Sequence, residues 1–333
     1  MSTQEQYPTL SSNQKILLVT AKRVGDALFL TPAIKLLKQS LPATQLDVLA
    51  LGKSAADVFE HNPMVNRIFL TKNKKTIKKI ANQYSLVINL MHEMQVYLTD
   101  LSAPVVSIGL PNQNLPRAEQ VLDFILTLLE NNNVPQKIDH EYNLYPQTHH
   151  VQNINTLLRR FDLDPSKHIL IACQLGCHRV ARRGWQFWRK KKDRHQHEKV
   201  WSIENYIELA KQLCESDQRI RLILTGAKQE KFLARLVQKD CPEVISFIGK
   251  TELLELTALM DQLQVLITHD TGTLHIACAR QRPIVALFGP TPVAFTGPYP
   301  MKPQYTVLQQ DRMADITVTD VYQAVMEKLL LVN

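Results

Sequence analysis

The chain has 333 residues, of which 45% are hydrophobic and 21% are charged, so it is long enough to bury two cores and does not have the composition of a disordered protein. Its apolar runs fall short of the roughly 18 to 20 residues that a membrane-spanning helix needs, and its polar residues 1–13 lack the order of a signal peptide, which predicts a flexible leader. Five cysteines, an odd number, exclude a complete disulfide framework.

Apolar runs alternate with helix-length segments through the first half of the chain. The runs are rich in Val, Ile and Leu and show no polar alternation, which is typical of strands buried on both faces of a parallel sheet with crossover helices. The predicted strands are 16–20, 46–51, 67–70, 86–90 and 105–110.

The first predicted strand leads into a candidate site. Gly25 and Asp26 follow it, and a helix is predicted over 27–40. Glycine lets a ligand approach the backbone closely, and Asp26 would present a carboxylate beside it. The residues leave two interpretations equally open: Asp26 is a helix N-cap, or it is a general base that the positive end of the helix dipole makes weak.

Lysines cluster after the third predicted strand. This lysine cluster is either a solvated face or a surface that binds anions. It comprises Lys72, Lys74, Lys75, Lys78 and Lys79.

Residues 111–167 contain the predicted domain boundary, since a helix over 117–130 is followed there by a polar stretch that contains His and Pro. The sequence predicts an N-terminal domain over 14–160 and a C-terminal domain over 161–315. Residues 316–333 would form a C-terminal helix that could pack back on the N-terminal domain.

The second half repeats the design of the first. The sequence therefore predicts an α/β protein made of two Rossmann-like, doubly wound parallel-sheet domains that face each other across a cleft, with a ligand at the carboxyl ends of the strands. The second set of predicted strands is 168–173, 222–225, 244–248, 265–268 and 284–288.

Most of the net charge of +8 lies in one segment, 179–199, where nine basic residues stand against two acidic ones. Tryptophans occur in or beside it, at Trp185, Trp188 and Trp201. The segment is either a solvated face or a surface for nucleic acid, anionic lipid headgroups or a phosphorylated ligand. The residues expected to form the patch are Arg182, Arg183, Trp185, Trp188 and Arg189.

Metal-binding patterns are weak in this chain. Cys173 and Cys177 with His178 lack a second Cys pair, so reduced thiols are expected there. His195 and His197 fit a solvated loop better than a metal site. No metal is expected.

Residues 265–290 follow the order strand, glycine-containing turn, helix, strand. Asp270 occupies the predicted N-cap, and Thr271, Gly272 and Thr273 would offer backbone N–H groups at the positive end of a helix dipole, an arrangement that binds phosphate. His275 lies inside the predicted helix. A capped helix that binds nothing is the alternative.

Motifs at both ends of the chain together resemble a known family. VGDALFLTPAIKLLK (24–38) and HDTGTLHIACARQRPIVALFGPT (269–291) resemble segments of the ADP-heptose:lipopolysaccharide heptosyltransferases, the bacterial glycosyltransferase family nine. Three further elements resemble the family in the same order: Lys199-Val200-Trp201, Leu224-Thr225-Gly226-Ala227 with Glu230, and Ile248-Gly249-Lys250-Thr251. The resemblance covers almost the whole chain, and the basic insertion at 176–198 departs from the family pattern.

The resemblance implies a GT-B glycosyltransferase that is inverting and independent of metal. It would move a heptose from ADP-heptose to the inner-core sugar of lipopolysaccharide, with Asp26 as the general base. The donor would bind the C-terminal domain through Lys199, Glu230, Thr251, Asp270, Thr271, Gly272, Thr273 and His275. The acceptor would bind the N-terminal domain at Gly25, Lys72, Lys74 and Lys75.

Within the donor set, the resemblance gives each group a task. Lys199 and the N–H groups of 271–273 would stabilise the leaving diphosphate. Asp270 and His275 would contact the diphosphate or the transferred sugar. Glu230 would bind the ribose, and the backbone near Thr251 would bind the adenine.

The same resemblance implies partners and a location. The nucleotide sugar is a substrate, so no cofactor is expected, and the acceptor is an anionic glycolipid. The protein would lie on the cytoplasmic, inner face of the inner membrane as a peripheral protein, with the 176–198 insertion on the membrane or the acceptor, and nucleic acid is not an expected partner. Three alternatives stay open: another nucleotide sugar as donor, a non-hydrolysing nucleotide-sugar epimerase, and a nucleic-acid-binding protein that uses the Trp and Arg patch.

Overall fold

The computed structural model describes residues 8–11, 13–20, 22–177 and 198–330. The chain divides into two compact units, Met1–Tyr145 and Pro146–Asn333. The predicted boundary after residue 160 is therefore too late. The helix Thr148–Arg160 packs against Leu253–Met260, and this contact places it in the second unit.

The first unit contains a parallel sheet in the order β3-β2-β1-β4-β5, which confirms the predicted α/β class. Its strands are β1 (Lys15–Val19), β2 (Gln45–Ala50), β3 (Arg67–Leu70), β4 (Leu86–Asn89) and β5 (Val105–Ser107). Its α-helices are α1 (Val24–Leu28), α2 (Thr31–Ser40), α3 (Lys53–Ala56), α4 (Lys74–Ala81) and α5 (Arg117–Glu130), and short 3₁₀ helices span Asp57–Phe59 and His92–Tyr97.

The helix predicted over 27–40 is two helices, α1 and α2. Pro32, at the second position of α2, has no N–H to donate to the Leu28 carbonyl, and its ring would collide with that carbonyl in a continuous helix. The Thr31 hydroxyl donates to the Leu28 oxygen instead, at 2.8 Å. The break leaves α1 as one short turn that carries Asp26 at the end of β1.

The second unit contains a parallel sheet in the order β11-β10-β9-β6-β7-β8. Its strands are β6 (Ile169–Gln174), β7 (Ile220–Thr225), β8 (Ile245–Ser246), β9 (Val265–His269), β10 (Ile284–Phe288) and β11 (Tyr305–Gln309). Its α-helices are α6 (Thr148–Arg160), α7 (Ile203–Ser216), α8 (Lys231–Asp240), α9 (Leu253–Met260), α10 (Gly272–Ala279), α11 (Val293–Thr296) and α12 (Val318–Leu330), and 3₁₀ helices span Lys228–Glu230 and Met313–Asp315.

Strand β11 and helix α12 differ from the sequence-based expectation. Strand β11 lies at the sheet edge and is mostly half-buried, so its sequence lacks the apolar run that marks the inner strands. Helix α12 packs on α7, β9, β10 and β11, with Val321 and Val325 fully buried in that core. The helix is therefore part of the second unit, which corrects the expected packing on the N-terminal domain.

Trp201, which the sequence places beside the basic segment, is a core residue of the second unit. Its side chain is fully buried, and its indole N–H donates to the Ile316 carbonyl at 2.9 Å. Its ring meets Tyr206 edge to face at 5.0 Å between centroids. Trp185 and Trp188 lie outside the described residues, as do Arg182, Arg183 and Arg189.

Candidate functional site

Each sheet has one point where the strand order reverses, and polar residues follow the strands there. In the second sheet this point lies between β6 and β9, which end at Gln174 and His269. In the first sheet it lies between β1 and β4, and Asp26 follows β1. Ligands of doubly wound sheets bind outside the carboxyl ends of the strands at such a point.

The turn before α10 is built differently from the prediction. Thr271, not Asp270, is the N-cap, and α10 begins at Gly272. The Asp270 carboxylate pairs with the Lys199 ammonium, 2.9 Å away. The N–H groups of Gly272 and Thr273, in the first turn of the helix, have no partners within it, and N–H groups in this position are able to donate to an anion.

The chain segment that carries Lys199 is joined to the end of β9 by a hydrogen bond between Trp201 and His269. The Trp201 backbone N–H donates to His269 Nε2 at 3.1 Å, and the Tyr206 hydroxyl lies 2.9 Å from the same nitrogen. Because a backbone amide can only donate, Nε2 carries no proton and the imidazole is neutral. Burial lowers the pKa of His269 to about 3, against the opposing charge of Asp270.

His275, in the first half of α10, is also neutral near pH 7. It is almost fully buried, and burial lowers its pKa to about 4 although Asp270 acts in the opposite direction. A neutral imidazole can bind a diphosphate or sugar oxygen by a hydrogen bond but contributes no positive charge. The positive charge at this turn is that of Lys199.

Glu230 lies in a slot between two glycines. Its carboxylate is buried and accepts from the Ala227 N–H at 2.7 Å, while burial raises its pKa. A Cβ atom at Gly176 would lie 2.2 Å from Glu230 Oε1, and one at Gly226 would lie 2.5 Å from Oε2. The two glycines are therefore required to accommodate this carboxylate.

Thr251 follows a turn that is joined to the Glu230 loop. Gly249 has φ of +68°, and a Cβ there would approach the Lys228 Cα to 2.7 Å. Its N–H donates to the Gly226 carbonyl at 2.9 Å. Thr251 is half-buried and lies two residues after Gly249. The turn that precedes Thr251 is therefore in contact with the loop 226–230, which carries Glu230.

In the first unit, Asp26 is the third residue of α1, and the N-cap position belongs to Arg23. The N-cap interpretation of Asp26 is therefore wrong. Gly25 is the preceding residue of the same turn, and its carbonyl accepts from the Phe29 N–H at 3.1 Å. A carboxylate in the first turn is stabilised by the helix dipole without capping the helix.

Arg117 is a charged group of this region that sequence reasoning missed. It is the first residue of α5, is 4% exposed, and donates from Nη2 to the Leu90 carbonyl at 3.4 Å, just past the end of β4. Burial lowers the pKa of its guanidinium, while the charges of Glu93 and Asp26 oppose that change. In the sequence it is one of many arginines, 91 residues from Asp26. Only in the folded chain is it close enough for the charge of Asp26 to affect the pKa of its guanidinium.

The lysines predicted to bind the acceptor are exposed on and beside α4. Asn73 caps this helix by accepting from the Thr76 N–H at 3.0 Å. The helix itself carries no acidic residue, so its ammonium groups form a positive face. Lys72 precedes the cap, and Lys74, Lys75, Lys78 and Lys79 follow it.

The predicted thiols are buried, and the thiol of Cys173 stays protonated. Burial raises the pKa of Cys173 to about 12, which disfavours the thiolate that binds metals. Cys177 is buried as well, and His178, His195 and His197 lie outside the described residues. None of the described helices has the length and apolarity to cross a membrane.

Comparison with known proteins gives concordant matches. A family model described as "Glycosyltransferase family 9 (heptosyltransferase)" matches residues 191–326. Lipopolysaccharide heptosyltransferase 2 of Escherichia coli K12 is 33% identical over 105 residues, an alignment that covers only 30% of each chain. Lipopolysaccharide heptosyltransferase 3 of Escherichia coli is 25% identical over 311 residues, which is 83% of each chain.

The solved structure of E. coli ADP-heptose lps heptosyltransferase II is similar to this fold, with a TM-score of 0.72 over 95% of this chain and 99% of that one, at 18% identity. Two Rossmann-like units in one chain are thus the GT-B fold of glycosyltransferases. Together with the family model and the relatives, this fold supports a glycosyltransferase that is similar to family 9, the heptosyltransferase family. The resemblance seen in the sequence is confirmed.

The two buried histidines predict how stability depends on pH. The folded state holds them neutral, whereas the unfolded chain protonates them below about pH 6.5, so acid favours unfolding. We expect the free energy of unfolding to fall by about 1.4 kcal/mol per pH unit for each histidine as the pH drops from about 6.5 towards 4. Urea unfolding at a series of pH values measures this slope.

The variant His275→Gln should lose one histidine's share of that slope. His149→Gln, at an exposed position on α6, is the matched control and should keep the slope of the natural chain. An unchanged slope in His275→Gln would contradict the assignment of a buried neutral imidazole.

Proposed function

We propose that this protein is an inverting glycosyltransferase that transfers a heptose from ADP-heptose to the inner-core sugar of lipopolysaccharide. One observation carries the proposal: the Lys199 ammonium lies beside the donor turn of α10, at the switch point of the second sheet. A cation and free helix N–H groups at one place are suited to a leaving diphosphate. The names of the relatives and of the similar structure support heptose as the sugar and lipopolysaccharide as the acceptor class.

The chemistry divides between the two units. Asp26 takes the proton of the acceptor hydroxyl while that oxygen attacks the anomeric carbon, and the bond from this carbon to the diphosphate oxygen breaks on the opposite face. The transition state is oxocarbenium-like, so a weak base is sufficient because the proton becomes acidic as the new bond forms. Lys199 and the N–H groups of 271–273 stabilise the charge that develops on the diphosphate.

Positive charge is the second element of the proposal. The Lys199 ammonium pairs with the Asp270 carboxylate. A diphosphate carries more than one negative charge and would therefore compete with this single carboxylate for the ammonium. His275 then acts as a neutral hydrogen-bond partner, and Glu230 and the backbone near Thr251 bind the ribose and the adenine. These side chains bind the donor through the protein's own charges and dipoles.

The acceptor side uses Gly25 and the lysine cluster. Lys72, Lys74 and Lys75 are exposed and have no acidic neighbour on α4, so they are available to the phosphates of an anionic glycolipid. The insertion 176–198, rich in Arg and Trp, would hold the protein on the anionic cytoplasmic leaflet as a peripheral protein.

Replacement of Asp26 by Asn tests the general base. We expect kcat to fall by about 10²- to 10⁴-fold, since Asn cannot accept the proton. Thermal stability should change little, because loss of a carboxylate from a first helical turn costs under about 1 kcal/mol. Asp100→Asn, at an exposed position of the same unit, is the matched control and should retain full activity. An active Asp26→Asn enzyme would remove Asp26 from the mechanism.

The donor is tested by thermal unfolding in the presence of ADP-heptose and of GDP- and UDP-linked sugars. The true donor at about 100 times its Kd should stabilise the fold by about 2.7 kcal/mol, and the others should do so less. Preference for a GDP- or UDP-linked sugar would overturn the ADP-heptose assignment. Conversion of the sugar nucleotide without an acceptor would identify an epimerase instead.

The lysine cluster is proposed to bind the acceptor and the 176–198 insertion to bind the membrane, so their substitutions should affect different measurements. Joint replacement of Lys72, Lys74 and Lys75 by Gln should raise the KM for the acceptor several-fold at low salt and leave kcat unchanged, because these groups are proposed to bind and not to react.

Joint replacement of Arg182, Arg183 and Arg189 by Gln should weaken co-sedimentation with anionic vesicles, by about 1 kcal/mol for each charge. Binding of the natural chain to neutral vesicles equal to that with anionic ones would refute the membrane assignment.

A further inference from the structure

Gln174 connects the two halves of the candidate donor site. It is the last residue of β6, at the switch point of the second sheet, and its side chain is buried. Its Oε1 accepts from the Thr273 hydroxyl at 3.2 Å and from the Thr225 hydroxyl at 3.3 Å. Its Nε2 donates to the Gly176 carbonyl at 3.2 Å and lies 3.4 Å from Glu230 Oε2.

The orientation of this amide is fixed by its partners. The Gly176 carbonyl can only accept, so the nitrogen of the amide must face it. The oxygen must then face the two threonine hydroxyls, which can donate. An inverted amide would set Oε1 against the Gly176 carbonyl and the Glu230 carboxylate. One side chain therefore holds Thr273 with its oxygen and faces Glu230 with its nitrogen.

The groups on either side have little freedom to adjust alone. The slot between Gly176 and Gly226 confines the Glu230 carboxylate, and the Ala227 N–H holds the same oxygen that faces Gln174. Thr273 is in the first turn of α10, whose position is set by β9. A shift of either group must therefore pass through Gln174 or break one of its hydrogen bonds.

We propose that Gln174 is a positioning residue that makes the protein recognise a nucleoside diphosphate as one ligand. It aligns the carboxylate that binds the ribose hydroxyls with the helix turn that binds the diphosphate, so that occupation of one improves the geometry of the other. The inference rests on the proposed function, because the roles of Glu230 and Thr273 come from it. Gln174 itself does not touch the reacting atoms.

The test is a mutant cycle read by calorimetric binding to the full-length chain. The probe is whichever of ADP, GDP and UDP binds the natural chain most tightly. Glu230→Gln and Thr273→Val are made singly and together, first with Gln174 present and then with Gln174→Leu. With Gln174 present, the loss of affinity in the double variant should differ from the product of the single losses by about fivefold or more, since coupled residues are not additive. With Gln174→Leu, the losses should multiply to within about twofold.

Two further variants distinguish positioning from a general loss of structure. Thr225→Val removes the other hydroxyl that bonds Oε1, yet it belongs to neither half of the site, and the coupling should persist. Gln174→Glu keeps the shape and the acceptor oxygen but places a second carboxyl group beside Glu230. Its nucleotide affinity should fall as the pH rises from about 6 to 8, while that of the natural chain changes less, because the shared proton is lost.

The outcomes separate the two proposals. If the natural chain binds none of the three nucleotides, the proposed function fails and this inference fails with it. If it binds one of them but the losses multiply with Gln174 present, only the positioning role is overturned. If Gln174→Leu does not fold, the pH dependence of Gln174→Glu decides: a flat profile like that of the natural chain overturns the role.

Discussion

The polar groups at the carboxyl edge of the second sheet depend on a neutral imidazole. His269 ends β9 and is followed directly by Asp270, while Trp201 lies two residues after Lys199. The hydrogen bond from the Trp201 N–H to His269 Nε2 therefore joins the two chain segments that carry the ion pair. It exists only while Nε2 is unprotonated, and burial keeps it so by holding the pKa of His269 near 3. The placement of the Lys199–Asp270 ion pair is thus linked to a hydrogen bond within the core.

Other polar groups at this edge of the sheet are also joined by hydrogen bonds. Tyr206 places its hydroxyl between His269 Nε2 and the Gln174 carbonyl, and Gln174 in turn reaches Thr273 and Glu230. Buried polar groups must find partners, and here each partner belongs to a different strand or loop. Parallel strands end at one edge, so the hydrogen bonds among their terminal polar groups bring residues that are far apart in the chain together at that edge.

Much of the architecture was readable from local pattern. Strand β10 and helix α5 have the predicted bounds, and the other inner strands differ by a few residues, because fully buried strands leave continuous apolar runs. The edge strand β3 also has the predicted bounds, although it is only partly buried. The pattern failed at β11, where an edge strand is only half-buried, and at the 27–40 helix, where the effect of Pro32 was overlooked. The pattern also placed the N-cap at Asp270 instead of Thr271, and the ion pair of Asp270 with Lys199, 71 residues away, has no local signal.

Local patterns were enough to predict the α/β class, the repeat of the sheet design in two halves, the glycine-containing turn at 270–275 and the resemblance to glycosyltransferase family 9. These follow from periodicity and from motifs whose members are close along the chain. The pairing of Lys199 with Asp270, the neutrality of His269 and His275, the closeness of Arg117 to Asp26 and the hydrogen bonds of Gln174 are visible only in the folded chain. Those are properties of groups separated by tens of residues, and burial and distance exist for them only after the sheets have formed.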